Sequence, residues 1–192
     1  MRIISGRLGG RRFQPPARMP HTRPTTDVAK EGLFNILEHQ FSLEGATTLD
    51  LFGGTGSISY ELASRGATDL TVVEKDPTMA AYIRKNAEVF GLSNLRVIQK
   101  DVFRFLEQCT ETFDLIFAGP PYALTQIDRL PELIFARKLL KPGGWFILEH
   151  TPRNNYSHSP FLLQVRNYGT TVFSIFLLPP TGVPSPAPKS SL

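Results

Sequence analysis

The sequence predicts an α/β fold in which a largely parallel sheet is covered by helices on both faces. Three observations carry this. Short apolar, β-rich runs alternate with helical stretches from Thr47 to Glu149. A glycine-rich turn, Gly53-Gly54-Thr55-Gly56, directly follows the first of those runs. The chain has 192 residues, 41% hydrophobic and 20% charged, which suits about one domain around one core.

The elements can be justified in order. Val28 to Gln40 places Ala29, Leu33, Ile36 and Leu37 at helical spacing, with Thr26 or Asp27 available as the cap. A strand over Thr48 to Phe52 runs through the glycine turn into a helix over Ser57 to Ser64, then a strand over Leu70 to Glu74. Pro77 just inside the next helix and Gly91 just beyond it bound a segment Pro77 to Phe90. A strand over Leu95 to Gln99, a short helix Val102 to Cys109, and a strand Phe113 to Ala118 continue the alternation. A helix over Ile127 to Leu140 and a strand over Trp145 to Glu149 complete it. Beyond Glu149 the pattern changes. Phe161 to Val165 and Thr171 to Leu178 are joined by Arg166 to Thr170, too few residues for a crossover helix, so they pair antiparallel. Five parallel strands followed by a terminal hairpin result.

Charge divides the chain. Residues 1–26 hold six arginines and no acid, whereas the whole chain carries 21 Lys and Arg against 17 Asp and Glu. A basic N-terminal arm (1–26) therefore precedes a mildly acidic domain (27–178), and a Pro-rich tail (179–192) is expected to be disordered. Such an arm suits an acidic partner such as nucleic acid. The longest apolar run, Val172 to Leu178, falls far short of the ~18 residues of a membrane span, and the N-terminus lacks the apolar stretch of a secretory signal. One cysteine, Cys109, excludes an internal disulfide, and the four histidines show no metal-ligand spacing, so a cytoplasmic protein without metal is expected.

The glycine turn lets a ligand approach the main chain at a helix N-terminus, where amide groups point outward. A dinucleotide fingerprint over glycines 54 and 56 would need a third glycine where Ser59 stands. Glu74 follows Gly56 by 18 residues, a spacing at which a carboxylate can accept ribose hydroxyls. Asp101, ending the third strand, could accept from an adenine amine. Together with Asp50, these acids form a coherent adenosine site around Phe52, Gly53, Gly54 and Gly56, with Lys75 and Val102 beside them. After the fourth strand, Gly119-Pro120-Pro121-Tyr122 fixes a run of carbonyls next to an aromatic face, suited to a flat base with its exocyclic amine against those carbonyls.

These residues carry a resemblance. Asp50 to Gly56, Val73 to Asp76 and Pro120-Pro121-Tyr122 resemble class I S-adenosylmethionine-dependent methyltransferases that modify exocyclic amines. Met1 to Gly6, Gly9-Gly10-Arg11, Arg23-Pro24-Thr25 with Val28, and Leu33 to Leu37 are similar to the bacterial 16S ribosomal RNA guanine-N2 methyltransferases. The likeness spans about residues 1–178. It implies a Rossmann-like three-layer fold with a seven-stranded, mostly parallel sheet whose last strand is antiparallel. It also implies S-adenosylmethionine on the glycine turn, with Glu74 on the ribose and Asp101 near the adenine. The implied partner is 16S ribosomal RNA within the 30S subunit or its assembly intermediate, gripped by Arg7, Arg11, Arg12, Arg18, Arg23 and Thr25.

One position departs from that pattern. The family has Asp before the two prolines, and related adenine enzymes have Asn, whereas this chain has Gly119. An oriented acceptor is lost, at a rate penalty of ~10²- to 10³-fold by analogy with removal of one such group. Weakened activity, a carboxylate supplied from elsewhere, and binding without turnover are the three explanations. On the first of these, Gly119→Asp raises the rate. Alternatives in other classes are an adenine amino-methyltransferase, a silent cofactor- or RNA-binding homologue, and an NAD oxidoreductase, the last disfavoured by Ser59 and the Pro-Pro-Tyr loop.

Overall fold

The computed structural model describes residues 1–17, 19 and 24–182. The elements run α1 (Asp27–Gln40), β1 (Thr47–Leu51), α2 (Ser57–Ser64), β2 (Asp69–Glu74), α3 (Pro77–Val89), β3 (Leu95–Gln99), α4 (Val102–Gln108), β4 (Phe113–Ala118), α5 (Arg129–Ala136), β5 (Leu140–His150), β6 (Leu162–Tyr168) and β7 (Thr171–Leu177). One seven-stranded sheet has the order β3-β2-β1-β4-β5-β7-β6. Strands β1 to β5 pair in parallel, and β7 runs antiparallel between β5 and β6.

Alternating side chains of the sheet feed two cores, as the period of two in strands requires. One joins Leu115, Phe117, Trp145, Ile147, Phe173 and Ile175 to α1, α2, α3 and the N-terminal segment. The other joins Ile116, Ala118, Phe146, Leu148 and Phe176 to α4 and α5. Between β1 and β4 the chain order reverses direction across the sheet, and the carboxyl ends of strands at such a point open a crevice.

Local chemistry sets most boundaries. Thr26 caps α1 by accepting from the Ala29 N–H, Asp76 caps α3 from Met79, and Asp101 caps α4 from Phe103 and Arg104. Two boundaries differ from expectation. The helix expected over Ile127 to Leu140 is only Arg129–Ala136, because Lys138 adopts a left-handed conformation (φ 56°) and its N–H bonds the Phe135 carbonyl, closing the helix as a glycine usually does. Leu140 is thereby released to begin β5, well before the expected Trp145. The hairpin turn also tightens to Gly169-Thr170, since β6 continues to Tyr168, which pairs with Thr171.

The N-terminal segment is built into the domain. Residues 1–13 fold back on themselves through the Arg2–Arg12 bridge and bonds between Ile3 and both Gly10 and Arg11. Ile3, Leu8 and Phe13 enter the core, with the Phe13 ring edge-on to Tyr60 and Phe90. Because this hairpin covers the face of α2 turned away from the sheet, all eight α2 residues are buried. Gly6 makes the seat possible. It sits at φ 77°, and a Cβ there would lie 2.0 Å from the Ser64 carbonyl oxygen.

Candidate functional site

The end of β1 turns through Phe52 at φ 64°, Gly54 at φ 55° and Gly56 at φ 77° before α2 begins. A positive φ at a bulky residue such as Phe52 costs of order 1–3 kcal/mol and is held only where the surroundings dictate it. Here the Gly53 N–H bonds the Val73 carbonyl, and Gly56 bonds Gly53. Helix α2 starts with no side-chain cap, so its first amide groups stand beside the cleft that Ser57 and Ile58 line. That cleft, about 520 Å³ with its open mouth included, is also walled by Asp50, Phe52, Gly53, Gly54 and Thr55 from the β1 side. Phe117, Gly119, Pro120 and Glu149 complete it from β4 and β5, with Pro24 and Thr25 over the top.

The predicted adenosine acids occupy specific tasks. Glu74 Oε2 accepts from the Gly54 N–H at 2.8 Å and Oε1 from the Asp76 N–H at 2.8 Å, so this carboxylate fixes the glycine turn. Asp101 Oδ1 caps α4, while Oδ2 lies 3.8 Å from the exposed Lys75 ammonium. Val102 is buried as the first residue of α4. Asp50 is buried near the carboxyl end of β1, and Ser59 Oγ donates to its Oδ2 at 2.6 Å. Burial pushes its carboxyl up to about 7, Ser59 opposing the shift and the nearby Glu74 charge adding to it.

The β1–β4 pairing brings the second loop beside the first. Leu51 pairs with Ala118, and the Gly119 N–H bonds the Leu51 carbonyl at 3.3 Å. The Pro121 carbonyl is taken by the Leu124 N–H, whereas Gly119 and Pro120 line the cleft. Tyr122 is partly exposed, with its hydroxyl 3.2 Å from Thr171 Oγ1. Tyr122 is not among the residues lining the cleft, and its hydroxyl reaches the start of β7.

Sequence reasoning missed Glu149 and Lys30. Glu149 is 3% exposed, follows the Ala118–Leu148 pair, and accepts from Thr25 Oγ1 at 2.5 Å. Burial raises its pKa, with hydrogen bonding from Thr25 and Tyr122 acting the other way. In sequence it is an ordinary polar strand end, and the signal lay in its register opposite Gly119. Lys30 is fully buried on α1, donating to the Arg2 carbonyl at 2.8 Å and to Ser57 Oγ at 3.0 Å, and sits 3.9 Å from Glu61. Burial lowers its pKa, and Glu61 opposes the shift. Glu61 in turn accepts from the Ile4 and Ser5 N–H groups and from Arg65.

Among the described residues, none of the predicted arginines lines this cleft. The Arg7 N–H bonds the carbonyl of Ser64, the last residue of α2, and Arg11 lies 6.0 Å from the ring of Phe90, which caps the far end of α3. Arg7 is thus placed at the end of α2 away from the glycine turn, and Arg11 beside the last turn of α3. Arg12 is exposed on the same hairpin. Arg18 and Arg23 lie outside the described residues, as does the tail from 183 onward. Thr25 is at the cleft, bonded to Glu149 rather than pointing out to solvent.

Known proteins match this architecture. Ribosomal RNA small subunit methyltransferase D of Escherichia coli K12 is 34% identical over 145 residues, spanning 76% of this chain and 69% of that protein. A hypothetical protein of Thermus thermophilus superposes with a TM-score of 0.80 at 28% identity, over 92% of this chain and 98% of that one. A 16S rRNA methyltransferase of T. thermophilus, solved in complex with AdoMet and guanosine, shares the fold at a TM-score of 0.65 and 23% identity, over 81% of this chain and 44% of that one. The family described as conserved hypothetical protein 95 matches residues 1–177, and with its class I methyltransferase sheet the chain belongs to that family.

Proposed function

We propose that this protein transfers a methyl group from S-adenosylmethionine to the exocyclic N2 amine of a guanine in 16S ribosomal RNA, presented in the 30S subunit or its assembly intermediate. The observation that carries the reading is the cleft in which the β1 glycine turn meets Gly119, Pro120 and Glu149 at the reversal point of the sheet. The name of the E. coli relative supports the small-subunit RNA, and the Pro-Pro-Tyr loop supports an exocyclic amine.

The residues present fit the cofactor. When bound, it supplies an electrophilic methyl group on a sulfonium. The uncapped start of α2 can receive its carboxylate. Asp50, buried and bonded by the neutral Ser59 hydroxyl, suits the cationic portion. Glu74, already oriented by two backbone amides, keeps lone pairs that would accept from the ribose hydroxyls, and Asp101 Oδ2, not used in capping α4, would accept from the adenine amine.

The chain's own residues do the rest by positioning and oriented dipoles. A guanine amine is a poor nucleophile because its lone pair is delocalised into the ring. A carbonyl of the Gly119-Pro120 turn accepts one of its hydrogens and helps turn the lone pair toward the methyl group. Tyr122 offers a ring face to the unstacked base.

Methylation of 30S subunits that lack the modification, with the product nucleoside identified by mass spectrometry, tests the reading. N2-methylguanosine is expected. N6-methyladenosine would replace the base assignment, and tight cofactor binding without transfer would select a silent homologue.

A further inference from the structure

The missing side chain at position 119 leaves a space, and the structure shows what borders it. A Cβ built on Gly119 would lie 3.5 Å from Glu149 Oε2 and 3.1 Å from Phe117 Cε1. An aspartate there would direct its carboxyl group into the region where the Glu149 carboxyl group already lies. Both residues line the cleft that also contains the glycine turn. Glu149 is also held by Thr25, the residue before the α1 cap, so its carboxylate has a fixed position.

Burying a carboxylate is expensive, and two hydroxyl partners, Thr25 and Tyr122, are a small return for it. A glutamine would accept the same hydrogen bonds without a charge to desolvate. A charged acceptor beside the reacting amine is a function that explains the acid.

We propose that Glu149 is a catalytic residue, its carboxylate accepting a hydrogen from the exocyclic amine of the target base and so replacing, from strand β5, the acid that position 119 lacks. This inference rests on the amino-methyl transfer reading above. In the step, the amine nitrogen bonds the methyl carbon as the carbon–sulfur bond breaks, with that bond's electron pair remaining on sulfur. The proton released from nitrogen passes to a Glu149 carboxylate oxygen. Burial raises the pKa of Glu149, which makes it a better resting place for that proton than an exposed glutamate.

Four proteins test this: the parent chain, Glu149→Gln, Thr25→Val, and Gly119→Asp combined with Glu149→Gln. Each is measured for single-turnover methylation of unmodified 30S subunits, for S-adenosylhomocysteine affinity by calorimetry, and for melting temperature. Glu149→Gln is expected to lose ~10²- to 10³-fold in rate while binding S-adenosylhomocysteine within about threefold of the parent. Thr25→Val keeps the acid and should lose less than about tenfold. The double variant returns a carboxylate from the neighbouring strand and should recover at least about tenfold over Glu149→Gln. The inference is overturned if Glu149→Gln stays within about threefold of the parent rate, if Thr25→Val loses as much as Glu149→Gln, or if cofactor affinity falls in parallel with rate. A parent chain that binds the cofactor yet methylates no guanine amine overturns the proposed function instead, whatever Glu149 does.

Discussion

Ser59 donates a 2.6 Å hydrogen bond to Asp50, tying the first turns of α2 to the carboxyl end of β1 directly beneath the glycine turn. This pair sets the pH response expected of the cleft. Asp50 titrates near 7 in the folded chain and at 3.8 when exposed. Between those values the folded chain holds a proton that the unfolded chain has released. Stability from this group is therefore fullest below pH 4 and is lost as pH rises toward 7. Asp50→Asn should leave stability unchanged near pH 4 and raise it by a few kcal/mol above pH 7.5. Affinity for S-adenosylmethionine should fall in the parent below pH 7, and the variant should bind weakly at every pH. Thermal melts and calorimetry from pH 5 to 9 check both halves.

Gly119→Asp alone should behave differently from what the sequence suggests. Its carboxylate would contact Glu149, and two like charges at that distance cannot both ionise without cost. We expect no gain in single-turnover rate in the parent background. A loss of about 1–3 kcal/mol in stability should grow as pH rises and the pair is forced to ionise. A rate increase of tenfold or more in this single variant would contradict the placement of Glu149.

Glu61 should be the most sensitive polar position outside the cleft. Its carboxylate joins Ile4, Ser5, Arg65 and Lys30 under the N-terminal hairpin. Glu61→Ala leaves the buried Lys30 without its counter-charge and should cost ~3–5 kcal/mol. Denaturant unfolding should show it, with earlier proteolysis within residues 1–17 than in the parent.

Gly6→Ala should release the same hairpin by a different route. No L side chain fits between that backbone and Ser64. The expected signature is faster amide exchange at Ile3, Leu8 and the α2 residues, with α4 and α5 on the other face unaffected.

Arg7 sits at the end of α2 away from the glycine turn, Arg11 beside the end of α3, and Arg12 on the same exposed hairpin, so only a substrate that reaches along this hairpin can engage all three. Replacing all three with alanine should weaken 30S binding and reduce the salt-dependence slope by about 0.7–0.9 for each phosphate no longer neutralised. The single-turnover rate at saturating subunits should be unchanged.

Much of this architecture was legible. The strands declared themselves by composition, and Gly53 to Gly56 marked the ligand edge, because short-range chemistry decides both. What escaped depends on residues distant in the chain. Glu149 gains meaning only from the β4–β5 register that sets it beside Gly119. Ile3, Leu8 and Phe13, scattered among arginines, carry no periodic signal, and their burial follows from α2 offering a second apolar face. Lys138 stands in a conformation that its side chain disfavours, so the end of α5 bears none of the usual marks.

The sheet order has a consequence for the ribosome-bound nascent chain. Strand β5 pairs with β4 on one side and with β7, the last strand, on the other. Until residues 171–177 have left the exit tunnel, the β5 edge beside Glu149 stays open, and β6 has no neighbour to join. A chain interrupted before that point would expose a long apolar edge, Trp145 to Leu148, to any other unpaired strand. Strand β7 is thus the piece that closes the sheet, filling the gap between β5 and β6.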